Sequence, residues 1–185
     1  KRNSNLESTT FSSLKERSCR QVYQVDLQEE GANVSLQGGW LSQGSATHHT
    51  HIDIRHLAPN CESMQNFKGV LGDASRSSFY GKIYVKDIAQ QTQAYQLNNN
   101  LLLSDRAKSE ALPNLEIFAD DVKASHGATV GQLDEDSLFY LNSRGISIPE
   151  AKKMLVQGFC EDVFKTFTNT DFKKEVRKSV QKLAL

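Results

Sequence analysis

The sequence predicts a mainly β protein in which short strands form a parallel solenoid, followed by a small helical subdomain. Two observations support this prediction. Between residue 23 and about residue 126, apolar residues alternate with polar ones, which is the period of a strand. After His126 the apolar spacing changes to three and four residues, the period of a helix. Because no amphipathic helix is predicted between the strands, a doubly wound α/β fold is not expected.

The predicted strands are short and numerous. Clusters of Gly, Asn, Asp and Ser, including Gly38-Gly39, Gly69 and Gly81, predict interruptions between them. The alternating apolar positions are Tyr23, Val25, Leu27, Val34, Leu36, Ile52, Ile54, Ile83, Val85, Leu115, Ile117 and Ala119.

Two all-β architectures fit this pattern, an antiparallel sandwich or barrel and a parallel solenoid. The Asn-Gly and Asp-Gly pairs typical of tight hairpins are absent. The run Asn98–Asn100, followed by Leu101–Leu103, resembles a solenoid corner with an inward-facing ladder. These signals favour the solenoid, and the sandwich or barrel remains open.

Three helices are predicted after the strands. Acidic residues 134–136 suit the positive start of a short helix, and Gly145 is placed to end it. Ser147 and Glu150 predict a capping box for the second helix. A third helix is predicted to begin near Thr170.

We therefore expect a β core over residues 1–131 and a helical domain over residues 132–185. The apolar stripe expected on the second helix is Ala151, Met154, Leu155, Phe159, Cys160, Val163, Phe164 and Phe167, and that of the third is Phe172, Val176, Val180 and Leu183.

Composition excludes several classes of protein. Lys and Arg number 22, as do Asp and Glu, so no polybasic nucleic-acid binder is expected. The longest apolar run is three leucines, too short to cross a membrane. The three cysteines form no CxxC pair, which suggests a reducing, cytoplasmic compartment. The chain opens with Lys1, and we expect it to be a piece of a longer protein.

Histidines supply the candidate metal ligands. In a strand, His49, His51 and Asp53 share one face, and imidazole and carboxylate suit zinc or iron, while His48 faces the other way. A polar outer strand face is the simpler interpretation. His126 stands where strands give way to helices, where it could bind iron, shuttle protons or serve only the structure, with Ser125 or Thr129 orienting the ring. No nucleophile elbow, Walker loop or convincing acid pair accompanies them.

A long stretch of the sequence resembles one family. The run Leu115–Gly131, then Leu138–Leu141 and Ser143–Ile146, closely resembles the SufD branch of the SufB/SufD iron–sulfur cluster assembly scaffolds. The segments at residues 48–50, 68–71, 94–98 and 100–105 are also similar to that family. The likeness covers residues 10–165, the C-terminal part of such proteins. SufB proteins carry His-Glu where this chain has His126-Gly127, so SufD is the better match.

The resemblance implies a right-handed parallel β-helix followed by a helical domain, with the N-terminal domain and first coils missing. It implies a non-catalytic subunit that pairs with SufB and docks the SufC ATPase, with no tightly bound cofactor. His126 matches the SufD histidine proposed to face a SufB cysteine as a ligand of iron or a transient cluster at that interface. Many SufD proteins have Cys where this chain has Ala124, so that thiolate ligand is absent.

The resemblance also places the SufC contact on the helices, where we expect Phe159, Val163, Phe164 and Phe167 either to dock the ATPase or to fill the core of the helical domain. A solenoid cut open exposes strand edges, which predicts a homodimer for the isolated chain. Two other functions are weighed against the scaffold: a carbohydrate-active β-helix enzyme, and a stand-alone module binding metal through its histidines. Only the scaffold accounts for both the helices and the run around His126.

Overall fold

The computed structural model describes residues 1–165, 167 and 169–183. In this part of the chain nine strands precede three helices, as the alternating and helical patterns predict. The elements are β1 Asn5–Lys15, β2 Ser18–Leu27, β3 Asn33–Gln43, β4 Thr47–His56, β5 Glu62–Leu71, β6 Arg76–Val85, β7 Thr92–Leu102, β8 Lys108–Ile117, β9 Val122–Gln132, α1 Glu135–Ser143, α2 Ile148–Lys165 and α3 Thr170–Gln181.

Successive strands alternate between two sheets. Sheet A has the order β1-β3-β5-β7-β9 and sheet B the order β2-β4-β6-β8. Every pairing in the described sheets is parallel. One coil takes roughly 30 residues, since Ser18 bonds Thr47, 29 positions on, and Gln65 bonds Gln96, 31 positions on. The solenoid prediction is confirmed, with about four turns, and the antiparallel sandwich or barrel is wrong.

Apolar side chains fill the space between the two sheets. Ile52, Ile54 and Ile83 are completely buried, and the rings of Phe67 and Phe79 meet with centroids 5.8 Å apart. Burying a side chain of this size contributes about 1.5–3 kcal/mol. Because the pairing is in register, each inward residue lies directly over its equivalent in the next coil, and the interior continues from coil to coil.

Glycine does not interrupt the strands where the sequence predicts. Gly38, Gly69 and Gly81 lie inside β3, β5 and β6. A Cβ on Gly69 would lie 2.3 Å from Trp40 Nε1 and 2.4 Å from Asn100 Oδ1. At Gly69 and Gly81 a large interior side chain therefore lies close to the backbone, and at Gly38 the Thr10 carbonyl does. These glycines are not turns.

The predicted corner at Asn98–Asn100 is also wrong, because this run lies within β7. Asn98 and Asn100 point into the solenoid and are buried. Asn100 Nδ2 donates to Asn98 Oδ1 at 2.7 Å, and Asn98 Nδ2 donates to the Phe67 carbonyl at 3.2 Å. The hydrogen bond between these two amides on one strand, and the one to the neighbouring coil, offset part of the cost of burial.

The helix boundaries follow their capping residues. Asp134 accepts a hydrogen bond from the Ser137 N–H at 2.9 Å and begins α1, and Gly145, at φ +86°, follows its end. Glu150 accepts from the Ser147 N–H at 3.3 Å and from the Ser147 hydroxyl at 2.6 Å. The hydroxyl thus bonds the Glu150 side chain, whereas the predicted capping box has it bond a helix N–H.

Helices α2 and α3 pack on the outer face of sheet A. The predicted stripe of α2 is buried or partly buried except for Met154, which is 49% exposed, and Val156 is buried beside it. Lys68, on β5, donates from Nζ to the Phe159 carbonyl at 2.7 Å and lies 4.6 Å from the centre of that ring. The shared cluster is Leu41, Val70, Leu101, Val156, Cys160, Val163, Phe164, Phe167, Val176, Val180 and Leu183, and it includes three of the four apolar residues predicted for α3.

The strands end at Gln132 and the helices begin at Glu135. A division into domains at residue 131 stays a prediction, since the helices and sheet A share one buried cluster. None of the described helices is long and apolar enough to cross a membrane.

Two histidines lie in the interior. His48 stacks on Trp40 with ring centroids 4.6 Å apart, and hydroxyls of Ser12 and Thr50 each lie 3.1 Å from one of its ring nitrogens. His56 Nε2 lies 2.8 Å from Ser63 Oγ. Burial lowers the pKa of His48 to about 4, with a smaller effect from His49, and burial alone lowers the pKa of His56 to about 4.

We predict that acid weakens the fold through these two rings. The pKa of both rings is lower in the folded than in the unfolded chain. Their contribution to the free energy of unfolding is therefore complete above about pH 6.5 and is lost as the pH falls towards 4. Between pH 7 and pH 5 each ring should remove about 2 kcal/mol from the free energy of unfolding, measured by urea titration. His56→Gln should reduce this pH dependence by about half, and an unchanged dependence would contradict the assignment.

We also predict that Gly69→Ala destabilises the solenoid by about 1–3 kcal/mol, because the new methyl group overlaps Trp40 and Asn100. The matched control is Gly131→Ala in β9, where a Cβ would have no neighbour within 4 Å. Thermal unfolding of the two variants gives the comparison. Equal melting temperatures would show that the interior is not packed as described.

Candidate functional site

His126 lies on β9, at the end of the solenoid. Among the described residues, β9 pairs only with β7, and β8 pairs only with β6. Both strands therefore present a free edge of backbone N–H and C=O groups, the part of a sheet that readily pairs with another chain. His126 is exposed at this edge.

The register places His126 in an inward-facing column. Gln65 on β5 pairs with Gln96 on β7, which pairs with His126 on β9. The two glutamines are buried, at 1% and 3% exposure. His126 is exposed because β9 is the last strand of sheet A and no further coil covers its position.

A groove of about 360 Å³ lies along the same end of sheet A. It is lined by three adjacent residues from each of β5, β7 and β9, with His126 in the middle of the last three. Met64, Tyr95 and Leu97 give it an apolar surface, being 49%, 37% and 41% exposed. The histidine therefore lies beside exposed apolar surface at a free sheet edge.

The residues near His126 on β9 offer it little help in orienting its ring or in binding a metal. Thr129 Oγ1 donates to Asn99 Oδ1 at 3.0 Å, so its hydroxyl proton is used away from the histidine. Ser125 pairs with Tyr95, on the outward side of the strand. Ala124 faces inward and supplies no ligand atom.

The other candidate histidines lie on the opposite sheet. His49, His51 and Asp53 share the outer face of β4, as predicted, and His48 faces inward. His49 Nδ1 lies 2.7 Å from Ser78 Oγ, and His51 stacks on Tyr80 with centroids 4.7 Å apart. No three His, Cys, Asp or Glu side chains within the described ranges form a group that could hold a metal ion. The metal-binding role of His49 and His51 stays a prediction.

Buried thiols add no ligand near His126. Cys61 and Cys160 are buried and unpaired. Burial raises the pKa of Cys61, and it raises the pKa of Cys160 to about 12, so neither forms a thiolate near neutral pH. One exposed imidazole supplies one ligand, whereas a metal site in a protein usually has three or four.

The four apolar residues predicted to dock a partner lie between the helices and sheet A. Val163, Phe164 and Phe167 are at most 5% exposed, and Phe159 is partly buried. Phe164 also meets Phe11 of β1 edge to face, with centroids 6.3 Å apart. Their packing holds the helices on the solenoid, and a role in docking stays a prediction.

The exposed apolar surface of the helices lies elsewhere and was not predicted. Phe139 and Tyr140 on α1 are 75% and 58% exposed, and Ile148 and Met154 at the start of α2 are 43% and 49% exposed. We call these four residues the α1–α2 patch. Beside it, a groove of about 410 Å³ is lined by Tyr140 and Leu155 and edged by Asp134 and Asp136. Two adjacent aromatic residues, Phe139 and Tyr140, on a short predicted helix are the sequence signal that could have located it.

Comparison with known proteins places the chain in a family. Residues 1–159 match the family described as SUF system FeS cluster assembly, SufBD core domain. The chain is similar to the iron–sulfur cluster assembly protein SufD of Escherichia coli, with 39% identity over 69% of this chain and 30% of that protein.

Two further relatives match a similar share of the chain. An iron–sulfur cluster assembly SufBD family protein of Synechocystis is 36% identical over 78% of this chain and 32% of its own length. The chloroplastic protein ABCI7 of Arabidopsis thaliana is 40% identical over 73% of this chain and 28% of its own length. The chain thus spans about a third of the relatives it matches. By the extent of these matches, the chain belongs to the SufB/SufD family of iron–sulfur cluster assembly proteins.

Proposed function

We propose that this chain is part of a SufD-type scaffold subunit, which helps to build iron–sulfur clusters without catalysing a reaction itself. One observation carries the proposal: the solenoid ends in a free sheet edge with His126 exposed on it. A single imidazole at a pairing edge suits a shared site, in which a second subunit brings the remaining ligands. The similar protein named SufD in Escherichia coli supports this branch of the family.

The partner proposed at this edge is a SufB-type subunit. β8 and β9 offer unpaired backbone groups for main-chain hydrogen bonds, and Leu112 and Val130 on them are 51% and 44% exposed. Iron or a nascent cluster would be held there transiently as cargo, with His126 as one ligand and a cysteine of the partner as another. Without that partner, a second copy of the chain covers the same edge, which gives the proposed homodimer.

A SufC-type ATPase is the second proposed partner, and the α1–α2 patch is its docking surface. The patch combines exposed aromatic rings with an acidic margin at Asp134 and Asp136. This pattern suits a partner with an apolar centre and basic surroundings. Phe159, Val163, Phe164 and Phe167 then act indirectly, because they pack the helices on sheet A and transmit movement of the docked ATPase to the solenoid.

Rigid attachment of the helices supports such transmission. Lys68 joins α2 to β5 through the Phe159 carbonyl, and the cluster beneath α2 and α3 is continuous with Leu41, Val70 and Leu101 of the sheet. Nucleotide-driven movement of the ATPase would then displace the solenoid end and change access to His126. The complex is proposed to act in the cytoplasm, with no nucleic acid or membrane as partner.

We predict that His126→Ala in the full-length protein lowers cluster assembly by the complete complex at least tenfold and leaves co-purification of the subunits unchanged. The ligand is lost while the backbone edge remains. Assembly is followed by the ultraviolet–visible absorption of the cluster during reconstitution. Thr129→Ala is the matched control on the same strand, and unchanged assembly by His126→Ala would overturn the role given to this histidine.

We predict that Phe139→Asp weakens binding of the SufC-type ATPase at least tenfold, because a charge is placed in an apolar contact. Binding is measured by titration calorimetry with the full-length protein. Phe118→Asp is the matched control, since this ring is also exposed, at 63%, but lies beyond the end of β8. Equal affinity of the two variants would exclude the α1–α2 patch as the docking surface.

A further inference from the structure

Gln96 pairs with His126 one coil further into the solenoid, and its amide is held in place. Its Nε2 donates to Gln65 Oε1 at 2.9 Å, one coil further into the solenoid. On the opposite sheet, Gly81 leaves room for it, since a Cβ there would lie 2.2 Å from Gln96 Nε2. A side chain fixed by one hydrogen bond and by the shape of its surroundings retains little rotational freedom.

One atom of this amide has no partner. Gln96 Oε1 is sealed from solvent and accepts no hydrogen bond from any described group. Buried carbonyl oxygens are nearly always hydrogen-bonded, and an unpaired one is costly. Within the same column, the next residue towards the open end is His126, on the strand paired with β7. Parallel strands lie about 4.8 Å apart, which is within reach of an imidazole.

We propose that Gln96 is a positioning residue for His126. The two side chains are not hydrogen-bonded in the structure; when the exposed imidazole turns inward, Gln96 Oε1 accepts its N–H and so fixes which ring nitrogen carries the proton. The other nitrogen then keeps its lone pair and faces the open end of the solenoid. The value of this arrangement rests on the proposed function, in which that lone pair binds iron or a cluster shared with a partner.

The chemistry explains why such positioning matters. A neutral imidazole exists as two tautomers, and only the nitrogen without a proton can bind a metal. Histidine ligands in proteins usually have the tautomer set by a hydrogen bond from the other nitrogen to a carbonyl or carboxylate oxygen. Gln96 Oε1 is an acceptor of this kind, on a buried residue that pairs with His126.

The neighbouring hydroxyls on β9 are poorly placed for this task. Thr129 Oγ1 donates to Asn99 Oδ1, and Ser125 lies on the outward side of the strand. Gln93, which is on the same strand as Gln96, is directed to the outer face and donates to Glu62 Oε1 at 3.1 Å. It therefore provides a matched control with the same type of side chain on the other face.

The test is nuclear magnetic resonance of the chain with ¹⁵N-labelled histidine, using long-range proton–nitrogen correlations at pH 7.5, without metal or partner. His126→Gln assigns the resonances of His126. We expect two well-separated ring-nitrogen shifts for His126, one protonated and one not. Gln96→Met, which keeps the size but loses the acceptor, should narrow the separation to that of a histidine in an unfolded peptide. Gln93→Met should leave it unchanged.

Gln96→Glu keeps an acceptor and should retain the separation even if Gln96→Met proves less stable. Two results would overturn the proposal. One is an unaltered His126 tautomer in a folded Gln96→Met chain. The other is a wild-type His126 ring that already shows the mixture of tautomers found in an unfolded peptide. Because no partner, iron or cluster is present, the result is independent of whether the chain serves as a SufD-type scaffold. Failure of ATPase binding or of cluster assembly would count against the proposed function alone.

Discussion

The structure depends on in-register parallel pairing between coils. Each inward side chain meets the inward side chains at the same register position in the coils before and after it, as Gln65 meets Gln96 and Phe67 meets Asn98. The pairs Gln65–Gln96 and Asn98–Asn100 show how polar groups are accommodated in such an interior. The same constraint explains why glycine is required inside strands, because a wide ring such as Trp40 needs space taken from its neighbour at Gly69.

Strand pairing satisfies the backbone groups between coils and leaves those at the free edge of the last coil unpaired. At β9 the columns stop, and the last member of one polar column is His126, on a strand with one free edge. The fold thus brings together an exposed imidazole, unpaired backbone groups and an apolar groove without any dedicated loop. The helices are fastened to sheet A, and their own exposed surface is the separate α1–α2 patch. The proposed scaffold role needs two such surfaces, one for each partner.

Much of the fold could be predicted from patterns that are typical of a single kind of element, such as strand alternation and helix capping. The alternation at Ile52 and Ile54 identifies a strand, and Asp134 and Gly145 delimit α1. The glycines within strands and the Asn98–Asn100 run were misassigned as breaks and as a corner, because side chains one coil away decide their role. Sequence spacing contains no information about which strand stacks on which.

The candidate site shows the same limit. His126 could be identified from resemblance, but its position at a free edge follows only from the order of the strands. The buried face of α2 turned out to include Val156 and to leave Met154 exposed, since the angle at which a helix meets a sheet is set by both surfaces. Gln96 had no distinguishing signal apart from being a polar residue at an inward position of a strand, beside Ala94 and Asn98.

We propose that the free end of the solenoid is the surface at which this chain meets a SufB-type subunit. Hydrogen exchange of the full-length protein, measured with and without a SufB-type subunit, tests it most directly. We predict that the backbone amides of β8 and β9 exchange more slowly on binding and that the exchange rates in β1 and β2 do not change. Protection confined to β1 and β2, or to the outer face of sheet B at β4, would contradict it.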